Sequence, residues 1–319
     1  MSRIKGEPVS RRKAMAAVRF LVAGARSDAL AQSQALSFYQ QTVQRYEGAC
    51  RLWWTRSWRT PLAAAMVLEN AGHTGMLFFS PPDAPGVDRA ALVDLVGQVC
   101  GESIAAGGMS MVQSLLPADA TQQLQVLGEG GMVRLTQLNY MRLELPANLP
   151  PLLLEDQLTW RDFHHAGEYA FGQVITETYR QSLDCPALEG VRRIEDVIAG
   201  HRASGIFTPQ SWWLAIFQGQ PAGVLLLNDT LSGNSCDVVY LGVAPPFRGQ
   251  GIGRAMLRRA MHETAQRGAT AVTLAVDDAN APAARLYESE GFAVLSRRVA
   301  YVRTWRTLQS STGLSPACG

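Results

Sequence analysis

The sequence has no run of about 18 apolar residues, so no membrane-spanning helix and no membrane partner is expected. Charge of one sign is missing too. Lys and Arg number 29 against 27 Asp and Glu, a formal net charge of +2. No basic field argues for a nucleic-acid partner, and Arg11-Arg12-Lys13 and Arg258-Arg259 read as solvated surface. Cysteine is sparse and unpatterned. Cys50, Cys100, Cys185, Cys236 and Cys318 form no C-x-x-C, and none has a His at ligand spacing. That excludes a disulfide framework and a zinc knuckle, and it fits free thiols in a reducing cytoplasm. Neighbours on a helix or strand diverge, so the adjacent His164-His165 does not make a metal pair, and no metal is expected. Basic residues before Ala14-Met15-Ala16-Ala17-Val18 resemble the start of a signal peptide, but Arg19 and Arg26 interrupt the apolar stretch. Val18–Val22 is read as a first β-strand.

What is present is a chain of 319 residues with 47% hydrophobic and 18% charged residues, enough for two cored domains. Pro146, Pro150 and Pro151 bracket a short segment that continues neither helix nor strand. The expected division is therefore 1–148, 149–307 and a flexible tail at 308–319.

The C-terminal half reads as strand 157–160, helices 166–182 and 189–201, and strands 212–217, 222–228 and 236–243. Helix 251–267 ends at Gly268; strand 271–276, helix 281–290, and strands 292–297 and 299–305 follow. The N-terminal half repeats that order. After strand 18–22 come helix 29–46, strands 51–55, 62–69 and 75–79, helix 88–105, strand 109–116, helix 120–127 and strand 133–145. Gly131-Met132-Val133-Arg134-Leu135-Thr136 lines up with Gly291-Phe292-Ala293-Val294-Leu295-Ser296 at a constant offset. A one-residue slip then matches Tyr140 and Arg142 to Tyr301 and Arg303. A repeat of this length means two copies of one α/β, mixed-sheet domain.

The chemistry-bearing segment is Tyr240-Leu241-Gly242-Val243-Ala244-Pro245-Pro246-Phe247-Arg248-Gly249-Gln250-Gly251-Ile252-Gly253-Arg254. It runs from strand through glycine loop into helix. Its glycines let successive backbone N–H groups turn toward one point, at which the helix aims its positive end. Such a site holds a phosphate or pyrophosphate. No G-K-[ST] follows, which disfavours a P-loop, and no acidic residue ends a strand where a Rossmann fingerprint needs one.

Downstream come Asp277-Asp278-Ala279-Asn280, then Ala283-Ala284-Arg285-Leu286-Tyr287-Glu288, then Gly291-Phe292. Arg248-x-x-Gly251-x-Gly253 resembles the acyl-CoA loop of the GNAT acetyltransferase superfamily, and Asn280…Tyr287…Gly291-Phe292 resembles its second signature. The resemblance covers about residues 155–306. It implies two tandem GNAT-like folds, an acyl-CoA (acetyl-CoA) cosubstrate and transfer to a primary amine by direct attack in a ternary complex. Backbone groups of Leu241, Gly242 and Val243 would hold the pantetheine arm and acyl carbonyl. The motif residues Arg248, Gly249, Gln250, Gly251, Ile252, Gly253 and Arg254 would form the pyrophosphate cradle, with the N–H groups from Gly249 onward as donors. Asn280 would bond the pantetheine arm, and Tyr287 would protonate the leaving thiolate. For the general base, Asp237, Tyr240, Asp277, Asp278 and a water chain all stay open. The acceptor region, 178–211, mixes charges of both signs, so a small-molecule amine and a protein amino group stay open as well.

The N-terminal counterpart of the loop, 78–88, has one glycine, three prolines and two acidic residues, and Leu127 stands where Tyr287 would be. Prolines remove N–H donors and carboxylates repel an anion, so this copy is expected not to bind acyl-CoA and to be non-catalytic. The tandem layout resembles that of mycothiol synthases in architecture only. Two other readings compete with an acyltransferase: an acyl-CoA sensor that transfers nothing, and a scaffold whose N-terminal half binds a partner. The retained Tyr287 and Asn280 favour the enzyme.

Overall fold

The computed structural model describes residues 5–307. The tail expected at 308–319 lies outside the described residues. The chain divides into two compact units, Met1–Leu135 with Val299–Gly319, and Thr136–Arg298.

The first unit contains β1 (Glu7–Pro8), α1 (Ala14–Ala23), α2 (Ala29–Phe38), β2 (Cys50–Ser57), β3 (Thr60–Asn70), β4 (Thr74–Phe79), α3 (Arg89–Ala105), β5 (Met111–Pro117) and α4 (Thr121–Glu129). The strand order is β1-β2-β3-β4-β5. Strand β3 is apolar without alternation because both its faces are covered. Ala64 and Met66 pack with α1, while Ala63, Ala65 and Val67 pack with α3.

The strand expected at 18–22 is instead part of α1. Ala14, Ala17, Val18 and Leu21 are buried at the i, i+3, i+4, i+7 spacing of a helix. The five-residue window 18–22, four of whose residues are apolar, is too short to show that period. The helix expected at 29–46 stops being α-helical at Phe38 and continues as a π-helical stretch over Tyr39–Gln44.

The second unit takes in β6 (Val133–Glu144) from Thr136, then β7 (Leu158–Asp162), α5 (Phe163–Tyr179), α6 (Ile194–Arg202), β8 (Trp212–Phe217), β9 (Gln220–Asp229) and β10 (Ser235–Val243). It continues through α7 (Ile252–Gln266), β11 (Ala271–Asp277), α8 (Ala281–Ser289) and the first residues of β12 (Ala293–Thr304). Strands run in the order β6-β11-β10-β9-β8-β7. Again β9 is buried on both faces, Val224 and Leu226 against α5 and Leu225 and Leu227 against α7. The two strands expected at 292–297 and 299–305 are one continuous β12.

The prolines at 146–151 do not separate the units. They end β6, but the chain stays packed in unit 2. Leu149, Leu153 and Leu154 pack on its core, and Arg258 and His262 of α7 bond the carbonyls of Pro151 and Pro150. The domain boundary expected at 148 is displaced because β6 pairs antiparallel with β11, from Glu144↔Ala271 to Leu138↔Asp277. The first unit, in turn, includes β12 from Val299, whose Arg303 guanidinium bonds the carbonyls of Gly97 and Gly130.

Candidate active site

The site begins where two parallel strands part. Pairing of β10 with β11 runs from Ser235↔Ala271 to Val238↔Leu274 and stops there. Yet β10 continues to Val243, still paired with β9, and β11 continues to Asp277. A bulge between Val238 and Tyr240 turns β10 at the parting point, as an extra residue does. Beyond it, the β11-facing edge of β10 has no strand partner, and a cleft of about 560 Å³ opens. Tyr240, Leu241, Gly242 and Val243 form one wall, and Ala275 and Val276 the other. Strand-edge amides and carbonyls need partners, and an extended amide-bearing arm can supply them.

At its outer end the cleft meets the glycine loop. Gly249 (φ 79°) and Gly251 (φ 80°) both occupy left-handed conformations that favour glycine. Gly251 is the N-cap of α7, with no side-chain cap, so the first-turn N–H groups of the helix are open. Gly249, Gly251, Ile252, Gly253 and Arg254 all line the cleft. An uncapped helix end has the donors and the dipole to receive an anion. Arg248 serves differently from its neighbours. Its guanidinium bonds the carbonyls of Val243 (3.0 Å), Gln181 (3.0 Å), Thr178 (3.1 Å) and Arg180 (2.8 Å). Its backbone N–H goes to Pro245. Arg248 therefore ties the end of α5 to the loop and directs four of its five guanidinium N–H groups to carbonyls. Gln250 is bonded through its side chain to the carbonyl of Pro246.

Across the cleft stands α8. Asn280 caps it, accepting the N–H of Ala283 at 3.3 Å, and lines the cleft. Tyr287, two turns on, is buried, lines the cleft and packs against Phe292. Burial, and then the charge of Asp184, push its hydroxyl pKa up, so it stays protonated.

The base candidates separate clearly. Tyr240 lines the cleft, but its hydroxyl lies 2.9 Å from Thr178 Oγ1, whose own proton goes to the Ile175 carbonyl. Tyr240 must then donate, and burial pushes its pKa up. Its ring stacks on His201 and meets Tyr179 edge-on. It is a wall of the cleft, held in place. Asp277 accepts from the hydroxyl of Thr136 and the N–H groups of Ala279 and Cys185, a structural role at the end of β11. Asp278 accepts from Asn139 and does not line the cleft. Asp237 lies outside the lining too; burial raises its pKa, partly offset by a hydrogen bond from Thr273. The carboxylate that does line the cleft is Asp184, on the turn after α5. No sequence pattern singles it out from its neighbours. Of the His164-His165 pair, His165 Nδ1 sits 2.7 Å from Asp162, the residue that caps α5.

Residues 177–292 match the acetyltransferase (GNAT) family. A mycothiol acetyltransferase from Acidothermus cellulolyticus is 30% identical over 241 residues, covering 70% of this chain and 72% of that protein. The chain belongs to the GNAT acetyltransferase family. Its members are acyl-CoA-dependent N-acyltransferases, with acetyl-CoA as cosubstrate. A mycothiol acetyltransferase from Thermomonospora curvata is 34% identical over 167 residues, 51% of this chain, and the match spans about half of that protein's length (53%). In fold, the chain resembles a GCN5-related N-acetyltransferase from Sphaerobacter thermophilus, with a TM-score of 0.58 and 21% identity over 95% of this chain and 96% of that one. That likeness spans both units.

In the first unit, too, a parallel strand pair parts around a cleft, but the helix that follows is capped. Here β4 and β5 pair from Thr74↔Met111 to Met76↔Gln113 and then separate around a cleft of about 240 Å³. Leu21, Phe38, Phe78, Phe79 and Leu116 line it. The N-terminus of α3 is already capped by Asp88, which accepts the N–H of Ala91 at 2.9 Å. A carboxylate thus sits at the N-terminus of α3, where α7 has none.

Proposed function

We propose that the second unit transfers an acetyl group from acetyl-CoA to a primary amine by direct attack in a ternary complex. The observation that carries this reading is one continuous cleft joining an uncapped, glycine-rich helix N-terminus to parted strand edges and a buried tyrosine. In it, the N–H groups from Gly249 to Arg254 cradle the pyrophosphate. Backbone groups of Leu241, Gly242 and Val243 align the pantetheine arm and polarise the acyl carbonyl, whose oxyanion a fixed strand N–H stabilises without reorganising. Asn280 bonds the arm. Tyr287 protonates the sulfur as the C–S bond breaks. The first unit is non-catalytic in this reading, because Asp88 and the prolines leave it no anion cradle.

Because two relatives are named mycothiol acetyltransferase, the acceptor of that enzyme is the first to assay. The test is acceptor-dependent CoA release from acetyl-CoA by the full chain. Release above the rate of thioester hydrolysis is expected with at least one primary amine. Tight acetyl-CoA binding without release to any amine would favour a sensor instead.

A further inference from the structure

Among the described residues, the lining of the cleft includes a carboxylate whose titration no cation shifts. Asp184 lines the same cleft as Tyr287 and the glycine loop. Its Oδ1 accepts the backbone N–H of Asp277 at 3.2 Å, which anchors it at the end of β11. Among the described residues no Lys, Arg or His contributes to its titration. Its charge is felt by Tyr179, Tyr240 and Tyr287, and the last two are walls of the cleft. Burial, together with the charge of Asp277, raises its pKa, although its side chain stays open to solvent. A raised carboxyl pKa is what a base for an ammonium ion needs. Asp277 beside it already accepts from three donors.

The lining of the cleft thus combines open amides at α7 with the carboxylate of Asp184, beside which the described residues place no cation. We propose that Asp184 binds the acceptor as an ammonium ion and removes its proton, so that the substrates of this chain are primary amines presented as cations. The proposal rests on the acyl-transfer reading above. The ammonium gives one proton to the Asp184 carboxylate, and the freed lone pair forms the C–N bond at the thioester carbonyl. As the C–S bond breaks, Tyr287 protonates the sulfur and recovers a proton from the nitrogen of the intermediate. Asp184 returns its proton to solvent.

The test uses the full chain, acetyl-CoA and two probe acceptors: methylamine, an ammonium ion at neutral pH, and hydroxylamine, uncharged there. CoA release is followed for wild type, Asp184→Asn and Asp184→Glu, and acetyl-CoA binding by calorimetry. Asp184→Asn should bind acetyl-CoA within about twofold of wild type and lose about 100-fold of the methylamine rate, while keeping most of the hydroxylamine rate. Asp184→Glu should recover part of the methylamine rate. The assignment is overturned by a wild type that releases no CoA to methylamine. It is equally overturned by an Asp184→Asn variant that keeps the methylamine rate, loses both rates alike, or no longer binds acetyl-CoA. A wild type that fails to bind acetyl-CoA overturns the acyl-transfer reading instead.

Discussion

At the residue scale, three glycines of one cleft are glycine for three different reasons. A Cβ on Gly242 would lie 2.7 Å from the Tyr240 hydroxyl and 2.8 Å from Thr178, so Gly242→Ala must displace the tyrosine wall. Gly249 has open space around it but a φ of 79°, so Gly249→Ala should cost about 1–2 kcal/mol of backbone strain. Gly253 has neither constraint: its Cβ would make ordinary contacts with Leu286 (3.5 Å) and Val243 (3.8 Å). In this account only the cosubstrate needs it small. Gly253→Ala should leave the melting temperature unchanged and weaken acetyl-CoA binding, and calorimetry with thermal unfolding separates the two. Tyr287→Phe should lower turnover roughly 10–1000-fold while sparing acetyl-CoA affinity, because only the transferable proton is lost. Steady-state kinetics with an active acceptor checks it, and unchanged turnover removes the acid role.

His201 adds a pH dependence. Burial and the positive charge of Arg192 lower its pKa from 6.5 to about 4. The unfolded chain binds this proton more readily, so stability is full above about pH 6.5 and declines as pH falls toward 4. Denaturant unfolding across that range should show the decline, and His201→Phe should flatten it.

At the scale of elements, much of the site was legible. The strand, loop and helix at 235–266 and the helix at 281–289 stand within a residue or two of where periodicity and glycine punctuation put them. They were legible because each carries its own signal: β-branched residues, loop glycines, a helical apolar face, a C-terminal glycine. What stayed hidden depends on partners distant in sequence. Nothing local shows that Arg248 spends its guanidinium on the end of α5, or that Asp184 reaches the cleft from the following turn. Helix α1 was hidden for the opposite reason, since its five central residues suit a strand until the buried positions on either side are counted.

The Arg248 clamp makes a prediction at this scale. A lysine cannot reproduce a planar fork that reaches four carbonyls. Both Arg248→Ala and Arg248→Lys should free the segment after α5, with faster amide exchange over 178–184. Acetyl-CoA affinity should drop about tenfold, the equivalent of one strong charged hydrogen bond. Unaltered exchange in that segment would mean the clamp is redundant.

For the molecule as a whole, the repeat was legible and its boundary was not. Two similar successions of strands and helices can be read from periodicity. The pairing of β6 with β11 cannot, because a strand's sequence names its faces and not its neighbour. The loop at 78–88 differs from its counterpart in prolines and acidic residues, and the structure adds that Asp88 there caps α3.

The central claim is that the second unit alone carries an acyl-CoA site and that the open N-terminus of α7 is its anchor. Calorimetric titration of the full chain with acetyl-CoA tests it most directly, with Gly253→Glu as the paired variant, which sets a carboxylate at that helix end. The account predicts one acetyl-CoA per chain for wild type and no measurable binding for the variant. Two per chain, or undiminished binding in Gly253→Glu, would contradict it.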